Sequence, residues 1–157
     1  MANELLVKLA GKNYGFLCHD KRERDAILSC VPYLRDRIIN VHILMVEVGH
    51  DPYTLWGLRS WGSKGSLHPK GKAYDTCDWF DLQRRGGTGW NTSDRFKADL
   101  IVCYTLHELY SGVNWYKYGK PWGDFAHGEW RGGKVARLSA AVLAVADGRL
   151  VRQLDLP

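Results

Sequence analysis

The segment Ser66-Leu67-His68-Pro69-Lys70-Gly71-Lys72-Ala73-Tyr74-Asp75 joins an imidazole to a carboxylate across a glycine-containing turn. A turn of this kind, followed by a β-prone run, can direct both side chains at one point. Neutral imidazole and carboxylate oxygen are ligands that suit zinc. A catalytic zinc uses three protein ligands and keeps one position open for water. The third ligand must come from elsewhere. Among the remaining histidines, His127 lies in Trp122-Gly123-Asp124-Phe125-Ala126-His127-Gly128-Glu129-Trp130, where Asp124 precedes it by three positions. That spacing offers a metal ligand beside a general base.

Written as patterns, these segments are SxHxxGxAxD at 66–75 and DxxH at 124–127. Together they resemble the zinc D,D-carboxypeptidases of the vancomycin-resistance type and the related L-alanyl-D-glutamate endopeptidases that phages use as endolysins. The first pattern is specific: five fixed residues coincide by chance in about one chain in ten thousand of this length. DxxH is common alone and draws its weight from its position and aromatic setting. The resemblance implies that His68, Asp75 and His127 hold one zinc ion and that Asp124 is the catalytic base. Gly57-Leu58-Arg59-Ser60 looks like the family's Gly-Tyr-Arg-Ser element, which implies that Arg59 stands next to the reacting carbonyl. In the mechanism this implies, zinc acidifies a water molecule, Asp124 takes its proton and returns it to the leaving amine, and zinc with Arg59 stabilises the oxyanion. Glu129 would serve as a partner that orients His127 or Arg59. The chain departs from the family at Thr76, where an apolar residue is usual, and at Gly128, where a bulky one is usual. Both departures bear on the substrate pocket.

Other residues invite blander readings. His19, His42 and His50 read as structural histidines. His107-Glu108 is half of an HExxH site whose second histidine is replaced by Ser111, so that site fails. Cys77, two residues after Asp75, would share its strand face, yet reads better as a buried free thiol than as a ligand. Trp115, Trp122 and Trp130 are either core or the wall of a groove for glycan or peptide. Lys64, Lys70, Lys72, Arg84 and Arg85 flank the motif, either to attract stem-peptide carboxylates or as a solvated rim.

The elements that must position these residues follow from periodicity and punctuation. Residues 1–12 suit a short strand or helix, with Leu5, Val7 and Leu9 alternating against Glu4, Lys8 and Ala10. Apolar residues from 31 to 48 recur at three- and four-residue intervals, with Pro32 in the first turn and Gly49 at the end, which predicts a helix. Strands are expected over 53–58 and 73–77, with an exposed loop over 83–92. Ser93 is an N-cap for a helix running to about Tyr110, with Gly112 as its stop. In the tail, residues 140–146 suit a helix, whereas Asp147-Gly148 also suits a hairpin turn; the helix is the preferred reading.

The 157 residues fit one catalytic domain, 1–157, with the resemblance strongest over 31–130. The expected class is α+β: helices packed on a small antiparallel sheet that carries the zinc, as in the D,D-peptidase and Hedgehog-like folds. A charge of +5 and a pI near 9.1 predict attraction to polyanions without choosing among nucleic acid, anionic lipid and cell-wall polymer. The four cysteines have no CxxC spacing, and free thiols are expected. No membrane span and no signal peptide are read in the sequence, so synthesis in a host cytoplasm and action at the wall are expected. The expected partner is the peptidoglycan stem peptide, met by a monomer, with no nucleic acid. Three alternatives stay open: a D-alanyl-D-alanine carboxypeptidase, a catalytically inactive zinc- or wall-binding module, and a basic nucleic-acid-binding domain, for which no reader motif is present.

Overall fold

The computed structural model describes residues 5–9, 12–61, 65–115 and 119–156, with side chains from residue 18 onward. Two strands, β1 (Leu5–Leu9) and β2 (Lys12–Cys18), form an antiparallel hairpin. The strand option for the N-terminal segment is the one adopted; Glu4 and Ala10 lie outside the described residues.

Helix α1 (Lys21–Ser29) follows at once, and the sequence reading overlooked it. Its signal was present: Asp20 caps the first turn by accepting the Glu23 amide at 2.8 Å, and an acidic residue three positions after the cap is the capping-box spacing. Helix α2 (Pro32–Glu47) matches the periodicity, with proline at its start and Gly49 left-handed at φ +93° beyond its end. Its buried face, including Leu34, Ile38, Val41 and Met45, enters the main core.

Four strands make the central antiparallel sheet in the order β3-β4-β6-β5: β3 (Pro52–Trp56), β4 (Ala73–Asp78), β6 (Asp124–Glu129) and β5 (Tyr110–Gly112). Helix α3 (Trp79–Gln83) continues from β4 and is capped by Asp78. Helix α4 (Asp94–Leu106) is capped by Ser93, whose Oγ accepts the Phe96 amide at 3.1 Å. It ends earlier than the expected Tyr110. Glu108 turns left-handed at φ 58°, and Leu109 donates its amide to the Tyr104 carbonyl at 2.8 Å, which closes the helix and releases Tyr110 to pair with Glu129. Gly112 is therefore a strand residue, not a helix stop. In the tail, α5 (Ala140–Val145) adopts the preferred helix, and Asp147 caps a further turn, α6 (Gly148–Val151), instead of forming a hairpin.

The sheet has two unlike faces. Tyr74 and Gly128, register partners in β4 and β6, face the main core built by α2, α4 and the tail helices. Alternation sends Asp75 and His127 to the opposite face, which also carries a smaller core of Tyr53, Leu55 and Cys77 flanked by Trp56, Trp79 and Trp90. Among the described residues no helix is long and apolar enough to cross a membrane.

Candidate metal centre

Asp75 lies in the middle of the sheet, opposite Trp56 in β3 and directly opposite His127 in β6. Antiparallel register alone therefore brings a carboxylate and an imidazole face to face across two strands. His68 reaches them from the 3₁₀ turn His68–Lys70, which ends on Gly71 at φ +65°, a left-handed conformation that favours glycine. The turn is fastened to the fold where the Val31 amide donates to the Gly71 carbonyl at 2.9 Å.

His68, Asp75 and His127 are buried, and one ligand atom from each lies within 4.8 Å of the other two, close enough to bind a metal ion. His68 Nε2 is 3.3 Å from Asp75 Oδ2, and His127 Nδ1 is 3.3 Å from Asp75 Oδ1. The opposite nitrogen of each ring is held by an acceptor. His68 Nδ1 is 2.8 Å from the Gly57 carbonyl, which can only accept, so Nδ1 carries the proton and Nε2 presents a lone pair. His127 Nε2 lies 3.0 Å from Glu129 Oε2, which by the same reasoning leaves Nδ1 as the ligand atom when the ring is neutral. His68 Nε2 is buried without a hydrogen-bond partner, an arrangement that is costly unless the atom serves another purpose. Two imidazoles and a carboxylate match the donor set expected for zinc, and an open side remains.

Glycine at 57 is required by contact. A Cβ there would stand 2.1 Å from the Ala26 carbonyl oxygen of α1 and 2.5 Å from Ser29 Oγ. This close approach lets the Gly57 carbonyl meet His68 and turns the following residues outward, with the Leu58 amide donating to Ser29 Oγ at 2.8 Å. Arg59 then folds back, its Nη2 3.6 Å from Asp75 Oδ2 and its guanidinium 4.0 Å above the Trp61 ring.

Asp124 opens β6 and lines a cleft of about 410 Å³ with Asp75, Arg59, Trp56, Trp90 and Phe125. Burial and then the nearby Asp75 carboxylate push its carboxyl up to about 6, against the lowering pull of His127, His68 and Arg59. For Asp75 burial alone would raise the pKa, but hydrogen bonds and charge from His127 and His68 hold it well below the usual carboxylate range. His127 is pulled down by burial, yet the Asp75 and Glu129 carboxylates push it up to about 9 in the absence of metal.

All five sequence candidates thus meet at one place, and Glu129 touches His127 while Arg131 pairs with its other oxygen. Cys77 does not join them: it packs against Tyr53 in the small core, and burial pushes its thiol up to about 12. All four cysteines are free and buried. Gly128 fits because a Cβ would stand 2.9 Å from the Tyr104 ring and 3.1 Å from that of Tyr74; two tyrosines fill the volume that a larger residue would take. Trp122 and Trp130 are partly buried and pack against the main core, whereas Trp115 lies with its ring 4.7 Å from that of His127. Of the flanking basic residues, Lys70, Lys72, Arg84 and Arg85 are exposed and do not line the cleft, and Lys64 lies outside the described residues.

The sequence reading missed the cleft's aromatic walls, Trp56 and Trp90. Trp90 is placed by a loop whose anchor is the almost fully buried Asp81, which accepts the Asn91 amide at 2.9 Å and pairs with Arg84 at 2.5 Å. Thr92 adds a hydroxyl bond to Asp78 at 2.6 Å. No periodicity announces such a loop. No protein-family model, curated protein or solved structure matches the chain.

Proposed function

We propose that the chain is a zinc-dependent peptidase of bacterial peptidoglycan, acting as an endopeptidase at the L-alanyl-D-glutamate bond of the stem peptide. The observation that carries this reading is the convergence of His68 Nε2, Asp75 and His127 Nδ1, with the far nitrogen of each ring held by an acceptor, beside Asp124 in an open cleft. A structural zinc site closes its coordination and needs no carboxylate beside an open position, so the placement of Asp124 favours catalysis over a binding module.

His68, Asp75 and His127 would hold the ion. When bound, zinc supplies Lewis acidity, polarising a carbonyl and acidifying a water molecule. Asp124 lines the cleft beside these ligands, where its carboxylate can accept a proton and pass it to the leaving amine. Arg59 places a permanent cation at the cleft wall, where charge develops on the carbonyl oxygen. Glu129 keeps His127 in the tautomer that frees Nδ1.

The test is digestion of purified peptidoglycan by metal-stripped and zinc-restored protein, with mass spectrometry of the fragments. Zinc-dependent release with new D-glutamyl N-termini is the expected result. Release of terminal D-alanine alone would turn the reading to the carboxypeptidase. Zinc-loaded, folded protein that releases nothing from several wall types would overturn the enzyme assignment.

A further inference from the structure

The cleft is not the only concavity at the centre. Trp115, which lies against His127, also forms a wall of a second groove of about 440 Å³, completed by Val113, Asn114, Lys120, Pro121 and Arg137 among others. The groove abuts the site through Gly112: a Cβ there would stand 2.6 Å from the Asp124 carbonyl oxygen and 3.1 Å from Trp115 Cε3, so the missing side chain lets the tryptophan close in on the Asp124 segment. On the far wall, Asn114 Nδ2 donates to the Arg137 carbonyl at 3.1 Å and ties the strap carrying Arg137 to the turn that carries Trp115.

The two concavities differ in charge. In the cleft the carboxylates of Asp75 and Asp124 stand against the Arg59 guanidinium. The described lining of the groove contains Lys120 and Arg137 and no carboxylate. An anionic substrate group is attracted by the groove, where the Arg137 guanidinium offers a planar fork that fits a carboxylate.

We propose that the groove beside Trp115 is a second substrate subsite, which binds a free carboxylate of an acidic peptide through Arg137. This rests on the peptidase reading and deepens it. An endopeptidase must hold its chain on both sides of the scissile bond, and the groove supplies the side that the aromatic cleft does not. Arg137 fixes which side is acidic, so the subsite sets the register of the peptide over the metal and selects substrates with an unmasked carboxylate next to the cut.

The experiment compares a synthetic stem peptide bearing a free glutamyl α-carboxylate with its α-amide, using the zinc-loaded full chain, by calorimetric binding and by hydrolysis. The free acid is expected to bind about tenfold more tightly than the amide, the worth of one charge-assisted contact. Arg137→Ala, at an exposed position, is expected to erase that preference, raising KM for the acid with kcat unchanged. Equal binding of acid and amide by the wild-type chain, or an Arg137→Ala variant that keeps the full preference, would overturn the proposal. Binding and hydrolysis separate the two claims. If neither peptide is cut while the acid still binds preferentially in an Arg137-dependent way, the peptidase reading falls and the anion subsite stands.

Discussion

Two buried clusters of histidine and carboxylate lie on this fold, and they differ in how the rings are satisfied. At His19, Nδ1 is 2.9 Å from Glu23 Oε1 and Nε2 is 2.5 Å from Asp51 Oδ1, so both nitrogens are committed to carboxylates. Glu23 in turn accepts the His19 amide at 3.0 Å and the Thr54 amide at 2.6 Å. The cluster is a closed knot that ties α1 to β3. At the centre on β4 and β6, His127 is likewise held between two carboxylates, Asp75 and Glu129, whereas His68 commits Nδ1 to the Gly57 carbonyl and turns Nε2, which has no hydrogen-bond partner, toward Asp75. Residue types are nearly the same in the two places, although Asp51 is partly exposed where Asp75 is buried. What separates the ligand set from the structural network is the second nitrogen of His68, which is left for a ligand to satisfy.

The sharpest way to break this comparison is to remove one ring from each cluster. His68→Ala is expected to abolish stoichiometric metal binding and with it all hydrolysis, while His19→Ala retains full metal content; metal analysis of the purified variants decides. A His68→Ala protein that still holds one equivalent of zinc would remove His68 from the ligand set. Next in size is Asp124→Asn, which is expected to lower kcat by about a hundred- to ten-thousandfold with metal retained. Unchanged turnover would place the base elsewhere.

The closed knot has its own test. Glu23 is fully buried, and Glu23→Ala leaves two backbone amides and the His19 ring without their acceptor. Breaking a buried charged network in this way costs about 3–5 kcal/mol, read as a lowered denaturation midpoint. Metal affinity in the protein that remains folded is expected to be unchanged. A smaller effect is expected from Glu129→Ala, where the His127 ring loses its anchor: zinc affinity falls by roughly 10- to 100-fold, measured by competition with a chelator of known affinity. No change would mean that β6 alone fixes the ring.

The contrast also explains what could be read from the sequence. His68, Asp75 and His127 were legible because a turn, a strand and fixed spacings carry them, and cross-strand register then pairs Asp75 with His127. The helices over 32–47 and 140–145 and the cap at Ser93 were legible because propensity and periodicity are local. The knot was not, since Glu23 looks like any charged residue on a solvated helix until its burial is seen. The end of α4 was missed for a similar reason. Leu109 and Tyr110 continue the apolar pattern, and only edge pairing with β6 converts the last of them to a strand. Trp56 and Trp90 gave no signal because loop and bulge geometry, not period, brings them to the cleft.

The smallest effect lies in the pH dependence of the knot. Burial alone would lower the His19 pKa, but hydrogen bonds and charge from Asp51 and Glu23 raise it from 6.5 to about 9. A histidine whose folded pKa is raised contributes stability in full below its unfolded value, and that contribution drains as pH climbs toward the folded value. Glu23 is raised by burial, with His19 and two backbone amides pulling it back, so its own linkage also weakens the fold as pH rises. Other neighbours do not reverse the sign: the Trp79 and Tyr53 rings, at 4.3 and 5.7 Å, carry no charge over this range, and His42, pushed down to about 3 by burial and by His19, stays neutral throughout. Wild-type stability relative to His19→Gln is therefore expected to be largest below pH 6.5 and to shrink by pH 9, as read from denaturant midpoints of the two metal-stripped proteins. A difference that stays constant over that interval would mean that His19 is neutral in the knot and serves as a hydrogen-bonding spacer between its two carboxylates.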